Sequence, residues 1–230
     1  MKTIGIIGGI SWLSSIDYYR IINEQINQRL GGVEAGRIIL YSVNFGEVKA
    51  LTLQDDWDAL ARMVSDAARK LQNAGADCLL IGANTMHKIA GEVQKAISVP
   101  LIHIAQVTAA AVQSAGIKKV ALLGTRYTME FDFYPEKLRE YGIDTIIPES
   151  DDREYVNASI YNELGKGIFT DAMREQYKKI IGRLADKGAE GVILGCTEIP
   201  MLIKQADSPI PVFDTTWLHA TAAVNFALGE

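Results

Sequence analysis

A repeated strand-and-turn pattern most strongly constrains how this chain can fold. The segment KTIGIIGGISW at 2–12 is similar to KKVALLGTRYT at 118–128. A second pair, NAGADCLLIGANTMH at 73–87 and DKGAEGVILGCTEIP at 186–200, lies at nearly the same separation. Two matches at a near-constant offset indicate an internal duplication, although two unrelated βα units with similar apolar strands remain an alternative.

Short apolar runs alternate with longer amphipathic segments, which is typical of βαβ units and a parallel sheet. The predicted strands are 4–7, 37–43, 78–81, 119–123, 144–147, 191–194 and 212–213. The predicted helices are 14–30, 56–73, 85–97, 129–141, 152–164, 170–187, 197–204 and 216–228. These elements predict an α/β fold of two pseudo-symmetric Rossmann-like lobes, each a mostly parallel sheet flanked by helices.

The duplication also predicts where the lobes divide. We expect residues 1–98 plus 208–230 in the first lobe and 99–207 in the second, with Val99-Pro100 near the boundary. Ligands of such sheets bind beyond the carboxyl ends of the strands. The active site is therefore expected in the cleft between the lobes.

Composition narrows the choice of partner and compartment. The net charge of −5 argues mildly against nucleic acid and anionic membranes, and no apolar run reaches the ~20 residues of a membrane helix. The two cysteines form no disulfide framework, which favours a reducing, cytoplasmic location. Nucleotide-binding glycine motifs are absent, and the three histidines lack metal-ligand spacing, so neither a cofactor nor a metal is expected.

Cys196 is the strongest candidate for chemistry because it follows an apolar strand directly and opens a predicted helix. A helix N-terminus lowers the pKa of a thiol, and the thiolate can act as a base or a nucleophile. The preceding Gly195 would let a ligand approach the backbone, and Thr197 and Glu198 add polar groups. The alternative is a small buried cysteine, which is also the interpretation of Cys78.

The equivalent turn of the first half carries Ala83 in place of the cysteine, followed by Asn84 and Thr85. These two polar residues suit a substrate carboxylate, and they also suit a simple helix cap. Further candidates for substrate binding lie in the other turns or in a loop: Ile10, Ser11, Thr125, Lys166, Thr197 and Glu198. His87, one turn into its helix, is a weaker candidate for a proton donor.

With these residues the chain resembles the aspartate/glutamate racemase family. The motifs IGIIGGISW, NTMH, LLGTRYTMEFDFY, LGKG and VILGCTEIP carry the resemblance from end to end, and GCTE is the most specific of them. The resemblance implies cofactor-independent, two-base proton transfer at the α-carbon of a small acidic amino acid. It further implies that Thr85, Thr125, Thr197 and the helix N-termini stabilise charge and that Lys166 holds a carboxylate.

The chain departs from the family pattern at the first catalytic position. Ala83 stands where the family has cysteine or threonine, Ile10 replaces a usual methionine, and Leu13 replaces a usual glutamate. An alanine transfers no proton, so the resemblance predicts a racemase that is inactive or crippled as written.

Three explanations of Ala83 remain open. They are an engineered replacement, a natural one-thiol enzyme such as a decarboxylase or maleate-type isomerase, and a non-catalytic binder of acidic amino acids. A homodimer is the default expectation for such enzymes.

Overall fold

The computed structural model describes residues 1–230, which form two compact units. The first unit contains residues 1–104 and 219–230, and the second contains residues 105–218. Each unit has its own parallel sheet, so the predicted α/β class with two mostly parallel sheets is confirmed.

The first unit has a three-stranded parallel sheet in the order β2-β1-β3. Its strands are β1 (Ile4–Gly8), β2 (Ile38–Ser42) and β3 (Cys78–Ile81). Strands β1 and β3 are buried on both faces, which explains their continuous apolar sequences. The helices of this part of the chain are α1 (Trp12–Leu30), α2 (Phe45–Leu53), α3 (Trp57–Asn73) and α4 (Ala90–Lys95), with a 3-10 helix at Thr85–Ile89.

Helices cover both faces of this sheet. One layer of the core packs α3 through Leu60 and Val64 against the sheet. The other packs α1 through Ile22 and Ile26, on the face that also buries Cys78. The prediction that Cys78 is a core residue is therefore confirmed.

The second unit has a four-stranded parallel sheet in the order β5-β4-β6-β7. Its strands are β4 (Lys119–Gly124), β5 (Asp144–Ile146), β6 (Gly191–Gly195) and β7 (Val212–Asp214). The remaining helices of the chain are α5 (Ile104–Ser114), α6 (Arg126–Glu130), α7 (Phe133–Arg139), α8 (Ser150–Asn162), α9 (Asp171–Asp186), α10 (Ile199–Leu202) and α11 (Thr215–Leu228), with 3-10 turns at Leu164–Lys166 and Gln205–Asp207.

The two sheets repeat one another residue by residue. Ile7 of β1 lies opposite Ile81 of β3, and Leu123 of β4 lies opposite Leu194 of β6. The two sequence matches pair these same residues, Ile7 with Leu123 and Ile81 with Leu194. Matched residues therefore occupy matched places, which supports an internal duplication over two unrelated βα units.

The unit boundaries differ from the predicted ones. Strand β7 pairs with β6, so the tail from residue 208 stays in the second unit until residue 218. At the earlier boundary, Leu101 still bridges to Leu79 of β3, which keeps residues 99–104 in the first unit. Backbone pairing decides both positions, and the apolar pattern carries no information about the pairing partner.

Candidate active site

Two turns in each unit follow neighbouring strands at the carboxyl edge of the sheet. In the first unit the turns after β1 and β3 are adjacent, and Ser14 Oγ donates to the carbonyl oxygens of Ser11 and Gly82. In the second unit the turns after β4 and β6 are adjacent because Gly124 and Gly195 are register partners. Each unit therefore presents one pair of turns at the edge where ligands of parallel sheets bind.

The turn after β6 holds a buried thiol, hydroxyl and carboxylate in direct contact. Cys196 Sγ donates to Glu198 Oε2 at 2.9 Å, and Thr197 Oγ1 donates to the same oxygen at 3.0 Å. Cys196 is 8% exposed and Glu198 is 4% exposed. Burying a carboxylate costs free energy unless donors compensate it, so this cluster is a specific arrangement rather than a filler of the core.

The pKa of Cys196 moves opposite to the prediction. Burial and the negative charge of Glu198 raise the pKa of the thiol well above its usual range. The predicted helix opens only at Ile199 and has four residues, so little dipole acts on the sulfur. The resting residue is therefore a neutral thiol, and the expected low-pKa thiolate is a wrong prediction.

Gly195 is explained by packing within the protein. A Cβ at this position would lie 2.8 Å from the carbonyl oxygen of Leu123 and 2.9 Å from Leu122 Cδ1. The absent side chain thus lets β4 and β6 approach each other. Its predicted role in ligand approach is not needed to account for the glycine.

Sequence reasoning missed two tyrosines whose pKa is affected by Cys196. Tyr161 of α8 and Tyr177 of α9 both interact with Cys196, and burial raises the pKa of both phenols. Tyr177 shares a hydrogen bond of 2.9 Å with Ser159. No motif marks these residues, because they come from helices far from residue 196 in sequence.

The other predicted site residues of the second unit, Thr125 and Lys166, differ in their burial and hydrogen bonds. Thr125 caps α6, since its Oγ1 accepts from the Thr128 backbone N–H at 3.3 Å. Lys166 lies exposed in a 3-10 turn, where its own N–H donates to the carbonyl oxygen of Glu163. Thr125 is close to the Cys196 turn through the strand register, and a role for Lys166 stays a prediction.

Ile10 and Ser11 are buried in the turn after β1. The Ser11 carbonyl accepts from Ser14 Oγ at 2.9 Å and from Ser15 Oγ at 3.2 Å, and the Gly9 N–H donates to Ser15 Oγ at 2.8 Å. These hydrogen bonds fix the backbone of the turn. A role for Ile10 and Ser11 in substrate binding stays a prediction.

The turn after β3 carries Ala83, Asn84 and Thr85. Ala83 and Asn84 are buried, and the segment that begins at Thr85 is a five-residue 3-10 helix rather than the long α-helix predicted over 85–97. The Asn84 side chain makes no capping hydrogen bond, so the capping interpretation of this residue is wrong. A carboxylate-binding role for Asn84 and Thr85 stays a prediction.

His87 is a structural residue of this turn. Its Nε2 accepts from the Ile104 backbone N–H at 3.2 Å, so Nδ1 carries the proton and donates to the Ala83 carbonyl at 2.9 Å. Burial, with His103 nearby, lowers the pKa of His87 well below its usual range. Both nitrogens serve the backbone, and the expectation that His87 could donate a proton to substrate is wrong.

The described side chains form no cluster of three or more histidine, cysteine, aspartate or glutamate residues that could hold a metal ion. None of the helices combines the length and apolar character that crossing a bilayer requires.

Known proteins resemble the chain over its whole length. The profile of the family described as Asp/Glu/Hydantoin racemase matches residues 7–223. A solved structure of a candidate Asp/Glu racemase from Yersinia pestis is 47% identical, with a TM-score of 0.92 over 99% of this chain and 100% of that one. An aspartate racemase homologue from Pyrococcus horikoshii is 34% identical, with a TM-score of 0.86 over the same shares.

One further relative is described as an enzyme. The broad specificity amino-acid racemase RacX of Bacillus subtilis is 27% identical over 172 residues, which cover 74% of this chain and 73% of the relative.

Proposed function

The chain belongs to the Asp/Glu/Hydantoin racemase family, and from this premise we propose that it moves the α-proton of a small acidic amino acid through Cys196. The activity class is that of an amino-acid racemase, because the relatives of this chain include a broad specificity amino-acid racemase and an aspartate racemase homologue. The observation that carries the proposal is the buried contact of the Cys196 thiol with the Glu198 carboxylate. No cofactor is part of the proposal.

We propose that Thr197, Thr125, Asn84 and Thr85 bind the substrate with Ile10 and Ser11, and that Lys166 holds its side-chain carboxylate. Support comes from their positions, since all but Lys166 belong to turns at the carboxyl edges of the two sheets. Fixed donors there would stabilise the negative charge that develops when the α-proton leaves.

The proposed enzyme transfers protons at only one face of the substrate α-carbon, because Ala83 occupies the place in the first unit that Cys196 occupies in the second. A methyl group transfers no proton, and inversion requires an acid and a base on opposite faces of one carbon. We therefore expect proton exchange at one face of the substrate with little interconversion of enantiomers.

The test is α-deuterium incorporation, followed by NMR in heavy water with each enantiomer of aspartate and glutamate. We expect one enantiomer to exchange and chiral chromatography to detect little inversion. Cys196→Ser should abolish exchange, whereas Cys78→Ser, which alters the other buried thiol, should leave it intact. Equal exchange of both enantiomers, or exchange that survives Cys196→Ser, would contradict the proposal.

A second candidate is a one-thiol decarboxylase or maleate-type isomerase. The raised pKa of Cys196 favours the decarboxylase, because a neutral thiol is ready to deliver a proton after carbon dioxide leaves. Release of carbon dioxide from malonates, or isomerisation of maleate, without any exchange of amino acids would favour this candidate. Binding of aspartate or glutamate that is unchanged in Cys196→Ser, with no turnover of any substrate, would identify a binder.

We also propose a homodimer formed through α1. Trp12, Ile16 and Tyr19 lie on one face of this helix and are 59%, 55% and 57% exposed. Contiguous exposed apolar side chains mark interaction surfaces. Ile16→Asp should shift the sedimentation coefficient to that of a monomer, whereas Ile168→Asp, at another exposed isoleucine, should not.

A reducing cytoplasm is the proposed location, because oxidation of Cys196 would remove the proton carrier. Detection of the protein in the cytoplasmic fraction of its native cell would support this location, and detection outside the cytoplasmic membrane would contradict it.

A further inference from the structure

A groove between α3 and α4 of the first unit has no part in the proposed reaction. Its volume is about 510 Å³, which is typical of small-molecule sites. The two helices pack together and share one layer of the core, to which Val64 and Val93 belong. Ala61 and Ala96 line the groove, and their methyl groups leave space that larger side chains would fill.

Ser65 of α3 brings a hydroxyl group to this groove. The residue is 7% exposed, and its side chain forms no hydrogen bond with any other group of the protein. A buried hydroxyl without a partner costs free energy, and alanine is the better helix former. The Ser65 hydroxyl is therefore available to a bound molecule.

Arginine side chains lie on both sides of this hydroxyl along the helix. Arg62 is three residues before Ser65 and Arg69 is four residues after it, so the three share one face of α3. Arg62 is exposed and forms no ion pair with the protein. Asp66 pairs with Lys70 at 2.7 Å and lies 3.8 Å from Arg69. Two guanidinium groups and a hydroxyl thus form a site for a small anionic group.

The α4 side of the groove carries a negative charge. Glu92 lines it, four residues before Ala96, and forms no ion pair with the protein. An ion pair requires a nitrogen–oxygen distance of 4 Å or less, so Glu92 and Arg62 line one groove without touching. Separated opposite charges match a molecule that carries both an anionic group and an ammonium group.

We propose that this groove binds a small zwitterionic amino acid with an uncharged side chain. The carboxylate of the ligand lies between the two arginines at the Ser65 hydroxyl, and its ammonium group lies at Glu92. Charge-assisted hydrogen bonds hold both ends, and the alanine methyl groups contact the ligand side chain. The groove belongs to the first unit and Cys196 to the second, so the proposal does not rest on the proposed function.

Titration of the ¹⁵N-labelled protein with L-alanine, followed by NMR, tests the site directly. Alanine carries both charges and a small apolar side chain. We expect shifts of the backbone amide signals of Ser65 and its neighbours in α3 and α4. Propionate, which lacks the ammonium group, and ethylamine, which lacks the carboxylate, should each bind about tenfold more weakly, because each loses charge-assisted contacts.

Substitutions assign the two ends of the ligand. Arg62→Gln and Glu92→Gln should each weaken alanine binding by about tenfold. Glu34→Gln, at an exposed acid of the same unit that has no ion pair, should leave binding within about twofold. Arg62→Gln should leave ethylamine binding unchanged, and Glu92→Gln should leave propionate binding unchanged. Loss of both half-ligands in either variant would contradict the assignment.

Ser65→Ala separates binding from structure. Because the hydroxyl has no partner in the protein, the variant should keep the unfolding free energy in urea or raise it slightly, while alanine binding weakens. Ala96→Leu should fill the groove and abolish the amide shifts, with an unchanged circular dichroism spectrum. A loss of stability in Ser65→Ala, or full binding in Ala96→Leu, would overturn the proposal.

The NMR titration also distinguishes this groove from the active site. Cys196→Ser should leave the amide shifts near Ser65 unchanged, so failure of the proposed function does not affect this test. Absence of shifts near Ser65 up to the solubility limit of alanine would overturn the proposal. Shifts confined to the turns at the carboxyl edges of the sheets would do the same, because alanine would then occupy the active site alone.

Discussion

The buried His219 makes the stability of the first unit sensitive to acid. Its Nε2 donates to the Ile102 carbonyl at 2.7 Å, so its Nδ1 is unprotonated and accepts from the Tyr18 hydroxyl at 2.8 Å. Burial, with a smaller contribution from His87, lowers the pKa of His219 to about 3. Only the neutral ring fits these hydrogen bonds.

The size of the effect follows from linkage. An unfolded histidine has a pKa of about 6.5, so below that pH the unfolded state binds a proton that the folded state refuses until about pH 3. The stabilisation is fully present above pH 6.5 and is lost as the pH falls, by about 1.4 kcal/mol per pH unit. Between pH 7.5 and 5 the loss from this one residue is about 2 kcal/mol.

Urea unfolding between pH 7.5 and 5, followed by circular dichroism, tests this prediction in the unaltered protein and in His219→Gln. The variant should be less stable at pH 7.5, because it loses buried hydrogen bonds, yet its unfolding free energy should fall by about 2 kcal/mol less across the range. Carboxyl groups titrate in both proteins and cancel in the comparison. Parallel curves for the two proteins would refute the reasoning.

Two pairs of substitutions test packing and a buried hydrogen bond in the second unit. Gly195→Ala places a Cβ 2.8 Å from the Leu123 carbonyl oxygen and should lower the unfolding free energy by about 1–3 kcal/mol in urea; Gly182→Ala, in a helix with open space around it, should raise it by up to about 1 kcal/mol. Ser159→Ala removes the partner of the buried Tyr177 hydroxyl and should cost about 1–3 kcal/mol, and Tyr177→Phe in the same background should recover part of that loss. Stabilisation by Gly195→Ala, or additive effects at the tyrosine pair, would contradict these expectations.

The strands β1, β3, β4 and β6 were predictable because they are buried on both faces. A run such as Gly191 to Leu194 has few alternatives to a parallel strand, and the observed β6 differs from it by one residue. The lobe boundary was not predictable in the same way. The apolar residues around Val212 predict a strand correctly, but its partner β6 depends on contacts that a local pattern does not encode.

Helices were predicted less completely than strands. The helices α2 (Phe45–Leu53) and α5 (Ile104–Ser114) were missed, and the helix predicted over 129–141 is replaced by α6 and α7, which meet near Phe131. Half-buried or mixed segments such as α2 give only a weak helical period, so packing rather than propensity decides their structure.

In the candidate site, too, some features were predictable from the sequence and others were not. The position of Cys196 after a strand was predicted, because the motif places it there. The direction of the Cys196 pKa shift was not predicted, because it depends on burial and on the orientation of the Glu198 side chain. A role for Glu198 as a substrate ligand stays a prediction, and its observed contact with the sulfur was not predicted from the sequence.

The central claim is that Cys196 transfers protons on one face of the substrate α-carbon, whereas Ala83, at the matched position of the first unit, transfers none. Ala83→Cys tests it most directly, with the interconversion of L- and D-aspartate and of L- and D-glutamate measured by chiral chromatography. The account predicts a rise in racemisation by orders of magnitude, which the additional change Cys196→Ser abolishes. A rate unchanged by Ala83→Cys, or a gain that survives the loss of Cys196, would contradict it.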